Sequence, residues 1–181
     1  LFTLRDLTNI IETSLVNSPD MFAEPLVSKN PYTNMPFNKA DLYNIYFTMK
    51  YGTAVLSPII HNYFLENFHL KQFRTNNEVL IRNIVIEQLV KSNDTIRLRR
   101  EIMKMISSHN QISLPKHRIY IHLSFPANKL VDIMRPYLRL YYISQFSLDN
   151  SQRDSVENEL YHRLNAFSEF NRRFGRIYIS V

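Results

Sequence analysis

Two glycines, Gly52 and Gly175, are all that 181 residues contain. Hairpin turns and phosphate-cradling loops lean on glycine, because a residue without Cβ accepts positive φ or close backbone approach at little cost, whereas helices dispense with it. The scarcity predicts a mainly α chain. It also removes functional classes: G-x-x-x-x-G-K-[ST], G-x-G-x-x-G and G-x-S-x-G are all absent, so common nucleotide-binding and hydrolase folds fit poorly.

The length suits one domain over 1–181, a compact multi-helix domain with an irregular Pro-rich connection at 18–37. Thr3 and Asp6 form a capping box before Leu4, Leu7, Ile10, Ile11 and Leu15, predicting a first helix that stops near Asn17. Pro19, Pro25, Pro31 and Pro36 then enforce turns and extended segments. A connection of that length needs a reason. Asn38 and Asp41 signal the next start, with Phe37 as staple residue and Leu42, Ile45, Tyr46 and Met49 as the inner stripe. Further starts are expected at Ser57-Pro58, at Thr75 to Glu78 and at Asp94. A break follows at 107–115. A sixth helix should run from about Ala127 to Phe146, kinked or interrupted at Pro136, and a seventh from about Leu148 to Phe174 with Gly175 as its C′ residue.

One small β element is expected. In HRIYIHLSF, Ile119, Ile121, Leu123 and Phe125 alternate with polar or mixed residues as on a strand, and RIYI recurs after Gly175. Strands near 118–125 and 176–180 could therefore pair.

Catalysis finds little support in the residues. The histidines, His61, His69, His109, His117, His122 and His162, have no tight metal spacing, and Glu157 and Glu159 lie two apart on a helix, where they do not face one another. No nucleophile stands out, and the expectation is no catalytic residue, no cofactor and no metal. A site assembled from distant residues stays open at this stage. Without cysteine there is no disulfide, iron-sulfur cluster or thiolate zinc site, which suits a reducing cytosol or the inside of an assembly. No apolar run approaches the ~18 residues of a membrane span, so membrane insertion is not expected. The chain begins at Leu1, as expected of a processed protein or a fragment, and LFTLRDLTNIIETSL does not read as a signal peptide.

Partners are better indicated. Residues 1–68 hold four basic and six acidic side chains, net −2, against eighteen and ten, net +8, in 69–181. An acidic or phosphate partner should meet the later part. At 100° per residue Arg97, Arg100 and Lys104 share a narrow arc opposite Leu98, Ile102, Met105 and Ile106, and Arg172, Arg173 and Arg176 form a second cluster; these six are the candidate phosphate-binding residues. A solvated helix face is the competing reading. Tyr137, Tyr141 and Tyr142 beside Arg135 and Arg139 read either as base-stacking residues or as core. Tyr32, Phe37, Tyr43 and Phe47 are the candidate partner-binding aromatics; packing around a helix start is the alternative.

FTLRDLTNIIETSL and AEPLVSKNPYTNMPFNKADLYNIYFTMKYG, centred on Asn30, Pro31, Tyr32, Thr33, Asn34, Pro36, Phe37, Leu42, Tyr43, Ile45 and Tyr46, resemble an uncharacterised protein family of nucleocytoplasmic large DNA viruses, including those of algae and other protists. The resemblance covers about the first half and brings no biochemical activity or catalytic residue with it. It implies a late viral structural or accessory protein, a minor component beneath the capsid shell, held by other viral structural proteins in the virion or the cytoplasmic viral factory. The alternative is a viral nucleic-acid-binding or transcription accessory protein using the basic residues.

Overall fold

The computed structural model describes residues 2–52 and 55–176. Seven α-helices lie among them: α1 (Leu4–Leu15), α2 (Lys39–Tyr51), α3 (Pro58–Leu65), α4 (Leu70–Lys91), α5 (Thr95–Ile112), α6 (Ala127–Phe146) and α7 (Asn150–Phe170). The chain is mainly helical, as its glycine content predicts. Its residues gather into two compact units, Leu1–Val85 and Ile86–Val181.

In the first unit both expected capping boxes form. The Thr3 hydroxyl accepts from Asp6 N while the Asp6 carboxylate accepts from Thr3 N, and Asn38 and Asp41 repeat the exchange at α2. Each exchange satisfies amides that a helix start leaves without partners. Packing of α1, α2 and α3 buries Ile11, Leu15, Leu42, Tyr46, Met49, Ile60 and Phe73, with Phe37 half-buried against the same core. The connection contains a 3₁₀ turn at Pro19–Met21 and one isolated antiparallel bridge, Lys29 to Pro36. α3 is shorter than the positions Ile59 to Phe68 imply. It ends at Leu65, and Asn67 and Phe68 both take φ of 58°, which turns the Phe68 ring back into the core.

The expected start at Thr75 is instead a kink. α4 begins at Leu70, the Thr75 hydroxyl bonds back to Lys71 O inside the helix, and Asn77 leaves helical geometry at φ −120°, ψ 15°. Asn77 is buried, donates to Phe73 O at 3.1 Å and accepts from Asn62 Nδ2 at 2.7 Å. A side-chain amide competing with the backbone ladder is a recognised cause of such kinks.

In the second unit α6 packs against both α5 and α7. α5 starts at its Asp94 cap but continues through the expected break to Ile112. α6 has the expected bounds and carries Pro136 inside a continuous helix. α7 is capped by Asp149 and stops at Phe170, five residues before Gly175, so Gly175 is not its C′ residue.

The β element does not form among the described residues. Residues 118–122 hold no regular secondary structure, and a side chain claims the middle of the segment: Asn110 brackets Ile119, donating to its carbonyl at 2.8 Å and accepting from its N–H at 2.9 Å. Arg99 donates to the Leu123 and Phe125 carbonyls, and Leu123 lies 88 % exposed, so the alternation fails there. Backbone groups at Ile119, Leu123 and Phe125 that side chains hold in this way are lost to a ladder. The second expected strand falls on 177–180, outside the described residues. Its neighbour Gly175 does meet the segment: His122 N donates to Gly175 O at 2.8 Å, and a Cβ on Gly175, whose φ is +78°, would stand 2.4 Å from Tyr120 O.

Candidate interaction surfaces

The four aromatics singled out in the first unit separate into two kinds. Tyr32 sits on the turn after Asn30, which accepts from Tyr32 N, and is 79 % exposed with its ring 5.0 Å from Phe2. Phe37 is half-buried in the core. Tyr43 and Phe47 belong to a ring cluster between α2 and α3. Tyr43 meets Phe64 and Phe68 edge-on, Phe47 meets Phe64 at 5.8 Å, and Tyr46 stacks on Phe64 at 3.9 Å and 3°. Edge-to-face contacts of this kind add to the gain from burial. The Tyr43 hydroxyl bonds Asn67, and the Tyr46 hydroxyl lies 2.8 Å from His61 Nδ1.

Around Tyr32 the Pro-rich connection holds a run of large apolar side chains in solvent. Phe22, Leu26, Val27 and Met35 are each more than half exposed, and Tyr51 and Leu65 add to the outward apolar surface of the unit. Phe22 also lies under the Arg82 guanidinium at 5.4 Å. Burial places Ala23, Pro25 and Ser28 inside, so 22–28 is anchored by small residues while it turns large ones out.

In the second unit the basic stripe has an acid at its edge. Glu101, four residues after Arg97, falls about 40° from it on the helical wheel, between the basic arc and the apolar side. The structure buries it to 8 % exposure and gives it Lys104 Nζ at 3.1 and 3.2 Å, Arg100 Nε at 3.3 Å and the Tyr142 hydroxyl at 2.8 Å. Burial by itself raises the carboxyl's pKa, but the Tyr142, Lys104 and Arg100 contacts outweigh it and hold Glu101 below the usual range. The same burial and neighbouring carboxylate push the Tyr142 phenol well up, so it remains the donor. Of the three predicted cations, Arg100 and Lys104 are thus committed to a carboxylate, and Arg97 is exposed with its backbone amide on the Asp94 cap. The missed residue had a signal: one acid bordering three bases on a helix whose other side is apolar.

Tyr142 takes the core role, Tyr137 meets Phe167 at 5.6 Å, Arg135 donates to the Val90 and Ser92 carbonyls, and Arg139 pairs with Glu87, which holds that carboxyl low. Beyond α7, Arg172, Arg173 and Arg176 are all exposed, with Arg172 and Arg176 lining one pocket that Arg173 does not.

Among the described residues, Ser113 and His109 form a serine–histidine contact, and both are buried. Ser113 Oγ stands 3.2 Å from Nδ1 and 3.1 Å from Nε2, nearly equidistant, so it lies in line with neither nitrogen. Burial lowers the His109 pKa and favours the neutral ring. Among the described residues no cluster of three or more His, Asp or Glu could hold a metal, and no helix is long and apolar enough to cross a membrane. No protein family, curated protein or solved structure matches the chain.

Proposed function

We propose that this protein is a non-enzymatic structural or accessory component that acts through protein–protein contacts made by residues 18–47. The observation that carries the reading is the arm at 22–35, where an anchored backbone turns Phe22, Leu26, Val27, Tyr32 and Met35 outward. Large apolar groups clustered on a surface mark an interaction site more often than a solvated one. The resemblance of the same stretch to a protein family of large DNA viruses supplies the setting: a minor capsid component among other viral structural proteins, in the virion or the viral factory.

Quantitative mass spectrometry of purified virions tests this. A fixed copy number per particle, with cross-links to shell proteins through 18–47, is the expected result; absence from particles alongside abundance in infected cells would remove the capsid role. A second reading, nucleic-acid binding, draws on exposed Arg97 and the Arg172, Arg173 and Arg176 cluster. It requires DNA affinity that falls steeply with salt and drops when Arg97 is replaced. The pairing of Arg100 and Lys104 with Glu101 makes it the weaker of the two.

A further inference from the structure

We propose that the pocket between the 3₁₀ turn Pro115–His117, the residues that follow it and the end of α7 binds a small phosphate dianion, either inorganic phosphate or a phosphate monoester. The inference goes beyond the docking reading, which concerns the other unit. The pocket has a volume of about 430 Å³, within the range of small-ligand sites. Lys116, Arg118, Arg172 and Arg176 line it against one carboxylate, Glu169. Among the described residues none of these four cations has an ion-pair partner, in contrast to Arg100, Lys104, Arg139 and Arg163 elsewhere in the same unit. Four cations brought together against a single carboxylate repel one another, and an anion between them reduces that cost. They also outnumber the partial negative charge at the end of α7.

His117 is the second and independent observation. It lines the pocket at 8 % exposure, and its Nδ1 is buried without a hydrogen-bond partner. Glu169 Oε1 lies 3.5 Å away, within ion-pair range but outside hydrogen-bond geometry. An orphaned buried polar atom is costly, and a turn of the ring that brings Nδ1–H to a ligand oxygen would relieve that cost. Phe167 and Phe174 form the apolar wall, their rings 4.9 Å apart. Gly175 lets the chain fold closely against Tyr120 beside it, where any Cβ would collide with backbone. The cations converge on a pocket of limited volume between two short segments, which suits a compact dianion better than a polymer backbone that needs a long groove.

The test is calorimetric titration of the full chain with sodium phosphate and with phenyl phosphate, at ionic strength held constant with sodium chloride. Saturable binding of phosphate is expected, with at least about a tenfold loss in Arg172→Gln and in Arg176→Gln, as for a lost charge-assisted contact. Arg173→Gln, one residue away but outside the pocket, should bind normally. All three positions are exposed, so these variants are expected to fold, and circular dichroism checks it. Equal affinity for both probes identifies a free-phosphate site; tighter phenyl phosphate identifies a monoester whose body meets the aromatic wall. No heat of binding, or equal losses in all three variants, would overturn the proposal in favour of a diffuse charge effect.

Discussion

In Leu1–Val85 the helices α2 and α3 meet through aromatic rings, whereas in Ile86–Val181 the helices α5 and α6 meet through an enclosed carboxylate. The two solutions leave different surfaces behind. Rings that pack on one another need no charge, and the first unit can afford to spend its remaining large apolar residues outward, along 22–35. The buried Glu101 pairs with the exposed Arg100 and Lys104, so a face that reads as basic in the sequence has part of its charge neutralised at its edge. Surface chemistry in this protein follows from what each core consumes.

Removing Tyr46 should break the ring side of the comparison most severely. It is fully buried, stacks on Phe64 and leaves His61 without its hydroxyl partner, so Tyr46→Ala is expected to cost about 3–5 kcal/mol of stability in denaturant unfolding. Tyr46→Phe keeps the ring and should lose only about 1 kcal/mol. A near-equal effect of the two would mean that the hydroxyl bond, and not the stack, ties α2 to α3.

Glu101 gives the next largest effect and a different signature. Glu101→Ala strands the buried Tyr142 hydroxyl and is expected to cost about 2–3 kcal/mol. Because the folded carboxyl is held below its ordinary value of 4.5, its contribution is fully present above that pH and is lost as pH falls through the depressed folded value. Unfolding measured from pH 7 down to pH 3 should therefore show an acid-dependent loss that Glu101→Gln diminishes while Tyr46→Phe retains it. An identical pH profile in Glu101→Gln would remove the charge tie from the account.

The helix starts test what was legible from the chain alone. Thr3 and Asn38 were readable because a capping box is a local pattern with a local cause, and Asn38→Ala should cost about 1 kcal/mol by loss of the Asp41 amide bond. Thr75 to Glu78 carries a similar local pattern, yet it marks a kink because Asn77 finds Phe73 O and Asn62 instead of capping a new helix. The strand at 118–125 failed for the same kind of reason: alternation was present, but Asn110 and Arg99, eight or more residues away in sequence, claimed the backbone groups. Glycine scarcity foretold helix and yet understated turns, since Asp20, Met21, Asn34, Asn67 and Phe68 all take positive φ. The candidate surfaces divide along this line. The sequence treats Tyr32, Tyr43 and Phe47 alike; Tyr32 is exposed on its local turn, whereas Tyr43 and Phe47 enter a ring cluster because Phe64 and Phe68 join them from later in the chain.

The smallest stability effect carries the functional weight. Tyr32→Ser and Met35→Ser replace side chains that are 79 % and 66 % exposed, and each should change stability by no more than about 0.5 kcal/mol, since surface positions of this kind contribute little to the fold. If residues 18–47 dock a structural partner, the paired variant should leave the unfolding midpoint in place while its copy number in particles falls. Arg97→Gln provides the converse, an exposed basic change expected to alter neither quantity under the docking reading. Particle incorporation that survives Tyr32→Ser/Met35→Ser but falls with Arg97→Gln would transfer the interaction from the apolar arm of the first unit to the residual charge of the second.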